Sequence, residues 1–141
     1  VQDNESKSNK NVLRGLHFQI PPYAQDKLVR VVKGSALDIA VDLRSDSPTF
    51  GEYVSEVLSH QNKRQFFIPK GFAHGFLVLE DETIFCYKCS EFYYRDYEKS
   101  LSWNDKEVNI EWGIDQPLLS EKDKLIGTNL NAFKDIFLLN K

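Results

Sequence analysis

Side chains capable of proton transfer interrupt several apolar runs of this 141-residue sequence. The first run, VLRGLHFQ at positions 12–19, carries Arg14 and His17 among valine and leucine. An imidazole titrates near neutral pH and can remove a proton, whereas a phenol such as that of Tyr87 keeps its proton at pH 7 and can donate it. An ammonium such as that of Lys27 can stabilise a developing negative charge. Several such residues on different strands predict a site for a polar ligand.

The spacing of Arg14 and His17 matters, because residues of opposite parity point to opposite faces of a regular strand. Gly15 lies between them, and a glycine inside a strand often marks a bulge. We therefore predict a bulge at Gly15 that turns both side chains toward one cavity. The alternative is an edge strand with a solvated arginine and a hydrogen-bonded histidine.

Short strands separated by turns must position these side chains. The segment 27–44 contains two β-branched runs around KGS, which predicts a hairpin. The second run alternates between an apolar set and a set of small or acidic residues, so its second face lines a cavity or faces water. The apolar set is Leu37, Ile39, Val41 and Leu43, and the other set is Ala36, Asp38, Ala40 and Asp42.

The rest of the chain continues this pattern. Strands are predicted at 52–59, in three runs across 64–94 that break at 69–71 and 80–82, and at 108–112. Only the segment 130–139 has helical periodicity, with Leu130, Phe133 and Phe137 on one stripe. Many short strands favour an all-β antiparallel sandwich or jelly roll, formed by residues 1–141 as one domain with a short C-terminal helix.

Composition excludes several classes of function. The net charge of -3 provides no basic surface for nucleic acid, and no run approaches the roughly 18 apolar residues of a membrane span. With 41% hydrophobic residues the chain can bury a core. We therefore expect neither a nucleic-acid partner nor a membrane partner.

The two cysteines, Cys86 and Cys89, form a C-x-x-C motif within an aromatic, strand-like run. A redox pair belongs at a helix start, and a zinc site needs a second ligand pair that does not follow at the usual spacing. We predict two unlinked thiols in a reducing compartment, which favours the cytoplasm. Residues 1–11 are polar without the apolar segment of a signal peptide, and the chain contains no Met, so we expect a fragment or a trimmed chain.

A tight turn precedes a second histidine. In PKGFAHGF, the residues Pro69, Gly71 and His74 match the P-x-G-x-x-H pattern of the second cupin motif, which delivers the histidine to the start of an inward-facing strand. A metal-binding cupin also needs an H-x-H pair, and the matching place reads His17-Phe18-Gln19. Since a neutral amide is a weaker ligand than imidazole for iron, zinc or copper, we expect no metal and no cofactor.

Taken in order, the motifs resemble the dTDP-4-dehydrorhamnose 3,5-epimerase family, the sugar-nucleotide branch of the cupins. The matching blocks run from residue 1 to about residue 123: VQDNESKSNKNVLRGLHFQ, AQDKLVRVVKGSALDIAVDLRSDSPTFG, RQFFIPKGFAHGF, YKCSEFYY, WND, IEW and LSEKD. The resemblance implies a cupin-type double-stranded β-helix, or jelly roll. It also implies an isomerase that inverts C3 and C5 of dTDP-4-dehydro-6-deoxy-glucose, a nucleotide-sugar partner and a homodimer.

The resemblance also implies the roles of individual residues. His17 is the base that removes the C3 or C5 proton, Tyr87 is the acid on the opposite face, and Lys27 stabilises the enolate formed at the C4 ketone. Asp123 matches the carboxylate that orients His17, with Asp38 as its rival. The implied substrate-binding residues are Gln2, Asn4, Arg14, Asp38, His74, Glu98 and Lys122.

Several alternatives stay open. Related cupins epimerise only C3 or only C5, although the presence of Tyr87 favours the double epimerase. Family members usually begin earlier, with a GDxRGxFxE-like segment that contributes to the nucleotide site. Its absence from this sequence favours an inactive sugar-nucleotide-binding cupin or a damaged fragment. The separate alternative for Gln2 and Asn4 is a frayed terminus, and that for Glu98 and Lys122 is a pair of solvated surface charges. The missing H-x-H pair disfavours a metal-dependent oxygenase.

Overall fold

A computed structural model describes residues 1–125 and 127–138 of the chain. In these residues it contains ten strands, one short helix α1 (Glu121–Leu125) and two 3₁₀ turns at Arg95–Tyr97 and Leu130–Phe133. The strands are β1 (Gln2–Ser8), β2 (Val12–Gln19), β3 (Lys27–Lys33), β4 (Ser35–Asp42), β5 (Tyr53–Ser59), β6 (Gln65–Ile68), β7 (Phe72–Val78), β8 (Thr83–Cys89), β9 (Glu98–Ser100) and β10 (Leu118–Leu119).

The strands form two sheets. The first has the order β1-β8-β3-β6, and the second has the order β10-β2-β7-β4-β5 with β9 also pairing with β2. All of these pairs are antiparallel except β10 with β2. The all-β, double-sheet prediction is therefore confirmed. No helix among the described residues is long and apolar enough to cross a membrane.

Two apolar clusters hold the sheets together. One contains side chains from both sheets, among them Val29, Phe76 and Phe85, and fills the space between the sheets. The other combines the apolar face of β4, including Ile39 and Val41, with residues of the C-terminal segment beyond residue 100. The alternation predicted for β4 is confirmed, but its second face is buried between the sheets and neither lines the cavity nor faces water. This arrangement covers the outer face of the second sheet and leaves room for polar groups within the barrel.

The predicted hairpin at KGS is wrong. Strand β3 pairs with β6 and β8, whereas β4 pairs with β5 and β7, so the chain changes sheets between them. Gly34 makes this corner with a φ of 81°, and a side chain there would collide with Thr83. The KGS segment between β-branched runs therefore indicated a turn correctly but not whether the turn joins neighbouring strands of one sheet.

The predicted strand at 108–112 is also wrong. These residues have no strand pairing, although Val108 and Trp112 are buried. The indole Nε1–H of Trp112 donates to the carbonyl of Trp103 at 2.8 Å, and Asp105 accepts hydrogen bonds from the backbone N–H groups of Glu107 and Val108. Side-chain hydrogen bonds thus replace the ladder that the apolar pattern predicted.

The predicted helix over 130–139 is wrong for the residues that the structure describes, and residue 139 lies outside them. Only a 3₁₀ turn forms, at Leu130–Phe133, and it is followed by Asp135 at a φ of 66°. The apolar stripe is nevertheless buried, since the rings of Phe133 and Phe137 pack edge-on against Phe18. The helix-like spacing of these apolar residues therefore reflects their packing against a sheet and not a helix. The short helix α1 was not predicted.

A hydrogen-bonded turn after β4 holds the buried carboxylate of Asp42. Asp42 accepts from the Arg44 guanidinium through both oxygens, at 2.9 and 3.0 Å, and from the hydroxyls of Ser47 and Thr49, each at 2.6 Å. Burial alone would raise the pKa of Asp42, but these hydrogen bonds lower it from 3.8 to about 2. The carboxylate therefore stabilises the folded chain.

Acidification should remove this stabilisation in a defined pH range. The folded-state pKa of Asp42 lies below its ordinary value, so the contribution is complete above about pH 4 and is lost as the pH falls toward 2. At about 1.4 kcal/mol per pKa unit, the loss is roughly 2 kcal/mol. Urea unfolding across this range tests it, with Asp42→Asn as the comparison. An equal loss of stability in both proteins would contradict the assignment.

Candidate active site

A cavity of about 440 Å³ lies between the two sheets. This volume is within the range of roughly 300–1,000 Å³ that is typical of small-molecule sites. Both sheets contribute to its walls, and α1 with the residue before it contributes one side. The lining residues are Asn4, Glu5, Ser6, Arg14, His17, Lys27, His74, Phe76, Tyr87, Ser120, Lys122 and Asp123.

A bulge in β2 brings Arg14 and His17 to the same cavity. Arg14 is opposite Phe76 in β7, and His17 is opposite His74, so three steps along β2 match two along β7. Leu13 and Leu16 consequently both point to the other side, where they are fully buried. The predicted bulge is confirmed. The edge-strand alternative is wrong, because β2 lies between β7 and the strands β9 and β10.

Replacing Gly15 by alanine should destabilise the fold strongly. The φ of Gly15 is 123°, and an added Cβ would lie 2.6 Å from the Cα of Gly75 and 2.8 Å from the carbonyl oxygen of His74. Such overpacking typically costs about 1–3 kcal/mol, in addition to the cost of a positive φ for alanine. Gly113→Ala is the matched control, since Gly113 has a φ of 78° but no atom within 4 Å of its added Cβ. Equal melting temperatures for the two variants would contradict the close packing at the bulge.

His17 is hydrogen-bonded to a buried carboxylate. Its Nε2 lies 2.6 Å from Oδ1 of Asp123, whose other oxygen accepts from the backbone N–H of Gly15 at 3.3 Å. The His17 side chain is 26% exposed and that of Asp123 only 2%, so the imidazole faces the cavity and the carboxylate lies behind it. Burial alone would raise the pKa of Asp123, but the hydrogen bonds from His17, Gly15 and Ser120 lower it. An ionised Asp123 can therefore orient His17 and stabilise its protonated form.

A second histidine–aspartate pair lies beside the first. The Nε2 of His74 is 2.6 Å from Oδ1 of Asp38, and the two side chains are 7% and 0% exposed. Asp38 is therefore hydrogen-bonded to His74 and not to His17, so it is not the residue that orients His17. It was also predicted to contact the substrate, but it does not line the cavity. Burial lowers the pKa of His74 and raises that of Asp38, with their mutual attraction opposing both shifts.

The opposite wall of the cavity comes from the first sheet. Tyr87 on β8 and Lys27 at the start of β3 both line the cavity, and the Lys27 Nζ lies 5.9 Å from the centre of the Tyr87 ring. Burial raises the pKa of Tyr87, so the phenol keeps its proton at neutral pH. Burial lowers the pKa of Lys27, partly offset by Cys89 and Asp38.

Gln2 and Asn4 are not in a frayed terminus. Both belong to β1, which pairs with β8 from Gln2 to Ser8. The side chain of Gln2 donates to Asn4 Oδ1 at 3.0 Å and accepts from the backbone N–H of Tyr93 at 2.9 Å. Of the two, only Asn4 lines the cavity.

Three further charged residues were predicted at the ligand. Arg14 lines the cavity and donates to the Ser8 hydroxyl through Nε and Nη2 at 3.3 and 3.2 Å. Lys122 also lines the cavity, and it forms an ion pair with Glu98, which begins β9. Glu98 itself lies behind Lys122 and is not part of the cavity wall.

The sequence analysis missed four residues of the wall, namely Glu5, Ser6, Phe76 and Ser120. Ser6 had a signal in the sequence, because uncharged polar residues alternate with charged ones along β1, and the uncharged set is the less exposed one. The uncharged polar composition of these residues hid this alternation from a search for apolar residues. Phe76 and Ser120 had no signal of their own, since a phenylalanine within a strand and a serine before a helix are usually structural.

Gln19 occupies the place of the second imidazole of a metal-binding cupin. Its amide NH₂ donates to the carbonyls of Tyr23 and Phe92, and its amide oxygen accepts from the N–H of Tyr94. In the described part of the chain, no three His, Cys, Asp or Glu side chains are grouped as metal ligands would be. Cys86 and Cys89 are both free thiols, as predicted.

Proton-transfer groups thus lie on opposite walls of one cavity. Inversion at carbon requires this geometry, because one proton leaves from one face and another arrives at the opposite face. The class of protein that this fold and this arrangement define is a jelly-roll epimerase.

The chain belongs to the dTDP-4-dehydrorhamnose 3,5-epimerase family, whose model matches residues 1–130. It is 59% identical over 123 residues to the dTDP-4-dehydrorhamnose 3,5-epimerase of Shigella flexneri, covering 87% of this chain and 68% of that protein.

Solved structures give the same family. A Legionella pneumophila epimerase in complex with dTDP-4-keto-L-rhamnose superposes with a TM-score of 0.88 at 50% identity, covering 93% of this chain and 69% of that chain. A 3'-monoepimerase from Streptomyces bikiniensis in complex with dTDP-quinovose has a TM-score of 0.86 at 32% identity, over 93% of this chain and 66% of that one.

Proposed function

We propose that this chain epimerises C3 and C5 of dTDP-4-dehydro-6-deoxy-glucose to give dTDP-4-dehydrorhamnose. The observation that carries the proposal is the opposition of two groups across one cavity: His17 on the second sheet, paired with Asp123 of α1, and Tyr87 on the first sheet. The Legionella pneumophila relative, whose structure holds a nucleotide-linked keto-sugar, supports the substrate class.

Proton removal is assigned to His17. The hydrogens on C3 and C5 flank the C4 ketone, so removal of either leaves an enolate whose charge is mainly on the C4 oxygen. His17 takes the proton and becomes an imidazolium, which the ionised Asp123 stabilises at 2.6 Å. The 26% exposure of the His17 side chain leaves the ring accessible to a ligand in the cavity.

Stabilisation of the enolate is assigned to Lys27, with His74 as a further polar contact. Both line the cavity, and they come from different sheets. A donor aimed at the oxygen where charge develops is typically worth about 3 kcal/mol of transition-state stabilisation. The half-buried position of Lys27 strengthens its interaction with an anion, because less water competes than at the surface.

Reprotonation is assigned to Tyr87, which gives its phenolic proton to the carbon from the side opposite His17. The carbon is then inverted, His17 holds the substrate proton, and Tyr87 is a phenolate. Exchange with water returns both groups to their starting states before the second carbon reacts. The same base and acid therefore serve C3 and C5 in turn.

The nucleotide is proposed to bind at the end of the cavity next to β1 and α1. Arg14 and Lys122 supply positive charge for a diphosphate, and Glu98 holds Lys122 in place. Asn4 supplies an amide group on β1 for the neutral part of the nucleotide, and Gln2 holds Asn4 in place through a hydrogen bond at 3.0 Å.

We also propose that the chain acts as a homodimer in the cytoplasm. Two features of the first sheet support a dimer: β1 pairs only with β8 in the described residues, and the facing pair Leu28 and Phe67 is 36% and 61% exposed. The free thiols of Cys86 and Cys89 support a reducing compartment.

Epimerisation at a single carbon is the second candidate function. The similarity to a 3'-monoepimerase favours it, because this relative shares the fold over 93% of the chain. The presence of a tyrosine at position 87, which matches the acid position of the family, supports the double epimerase.

Product analysis tests the proposed function. Incubation with dTDP-4-dehydro-6-deoxy-glucose should give a product whose proton couplings show inversion at both C3 and C5, whereas inversion at one carbon would select the monoepimerase. An inactive binding protein would give no product but would still be stabilised by dTDP, by roughly 2.7 kcal/mol at 100 times the Kd. If there is no product and dTDP does not stabilise the protein, both the enzymatic function and the binding function are contradicted.

A further inference from the structure

Asp38 is the most deeply buried acidic residue of the site. Its side chain has no exposed surface, its Oδ1 is bonded to His74 Nε2 at 2.6 Å, and its Oδ2 is buried without a hydrogen-bond partner. A buried carboxylate usually has both oxygens paired, since an unpaired ionic oxygen away from water costs several kcal/mol. This environment is therefore better suited to a neutral carboxylic acid.

The other ring nitrogen of His74 remains for a ligand. His74 lines the cavity, its Nε2 is used by Asp38, and its Nδ1 has no hydrogen-bond partner among the described residues. Unlike Oδ2 of Asp38, this unpartnered nitrogen is not fully buried, so a ligand in the cavity can reach it. Whether Nδ1 donates or accepts depends on the group at Nε2, because a neutral imidazole carries one proton.

We propose that Asp38 is a carboxylic acid whose O–H donates to His74 Nε2, so that His74 carries its proton on Nδ1 and presents an N–H donor to the cavity. Asp38 is then a positioning residue that acts through His74 and never contacts the substrate. Its Oδ2 is then the carbonyl oxygen of a neutral acid. Burying such an oxygen without a partner costs less free energy than burying an unpaired oxygen of a carboxylate.

The charged groups around Asp38 are few. Glu56 is its neighbour across the pair β4–β5, and the Glu56 carboxylate forms an ion pair with Arg64 at 3.0 Å. Lys27 of β3 and His17 of β2 approach from the cavity side, and Lys27 opposes protonation of Asp38 without forming an ion pair with it. Phe76, the neighbour of Asp38 across the pair β4–β7, is apolar. Burial raises the pKa of Asp38, which agrees with the neutral form.

The consequence for catalysis rests on the proposed function. The C4 ketone oxygen and its enolate accept hydrogen bonds, so a cavity-facing Nδ1–H would stabilise them together with the Lys27 ammonium. An anionic Asp38 would instead hold the His74 proton on Nε2 and leave a lone pair facing the enolate. An apolar site can keep a carboxylic acid neutral at pH 7 so that it donates a hydrogen bond.

Long-range ¹H–¹⁵N NMR correlation of the histidine rings tests the proposal without substrate. The chain has three histidines, so His60→Gln and His74→Gln variants assign the signals. At pH 7, His74 should be a neutral ring with its proton on Nδ1. A proton on Nε2, or on both nitrogens, would overturn the proposal even if the enzyme proves to be an epimerase.

An Asp38→Leu variant tests the link between the two side chains. Leucine cannot donate to Nε2, so the Nδ1-protonated form of His74 should no longer dominate, and kcat should fall with little change in KM. The fall should approach the 10²- to 10³-fold that loss of one such donor typically costs. An unchanged His74 tautomer in this variant would show that Asp38 does not set it. If the variant fails to fold, the wild-type spectrum still decides.

Discussion

His17→Ala should abolish hydrogen exchange at both C3 and C5 of the keto-sugar. The imidazole of His17 faces the cavity with the ionised Asp123 behind it, whereas that of His74 is hydrogen-bonded to Asp38. General base catalysis typically contributes 10²–10⁴ in rate, so the exchange rates at both carbons should fall by at least this factor. Proton NMR in deuterated water measures the two carbons separately.

Two further histidine variants make this result specific. His60 is exposed and bonded to the Gly34 carbonyl outside the cavity, so His60→Ala should exchange at the wild-type rate. His74→Ala should slow both exchanges without abolishing them. If His17→Ala still exchanges and His74→Ala does not, the base is His74 and the roles of the two histidines are reversed.

Tyr87→Phe should separate exchange from inversion. The change removes one hydroxyl and almost no volume, and it leaves His17, Asp123 and Lys27 in place. Proton removal therefore continues, and His17 returns a deuteron to the face it came from. Inversion should fall by about 10²–10⁴, because no group donates from the opposite wall.

Tyr53→Phe is the matched control for this variant. The Tyr53 hydroxyl accepts a hydrogen bond from the N–H of Glu111, away from the cavity, so its loss should leave exchange and inversion unchanged. A Tyr87→Phe protein that inverts within tenfold of the wild type would make Tyr87 a packed aromatic residue and leave the acid unassigned.

The sequence predicted the positions that depend on local geometry. Gly15 between two residues of opposite parity indicated the bulge that brings Arg14 and His17 together, because strand parity is a property of the backbone alone. The alternation in β4 likewise separated its two faces, which pack in different apolar clusters, although it did not predict that both are buried. These patterns are determined by near neighbours in the chain.

Other features depend on distant parts of the chain and could not be predicted in this way. Asp38 and Asp123 were both available to orient His17, and only the pairing of β4 with β7 assigns Asp38 to His74. The KGS turn looked the same whether it joined neighbours in one sheet or crossed between sheets. The spacing of Leu130, Phe133 and Phe137 fits a helix. Their actual packing surface includes Phe18, which is more than 100 residues away in the sequence and cannot be seen in a local pattern.

Deuterium incorporation by the wild-type chain tests the central claim most directly, namely that one cavity activates both carbons next to the C4 ketone. The protein is incubated with dTDP-4-dehydro-6-deoxy-glucose in deuterated water, and the C3 and C5 proton signals are followed by NMR. The double epimerase predicts that both signals disappear while both centres invert. Loss of one signal alone, or retention of both, would contradict it.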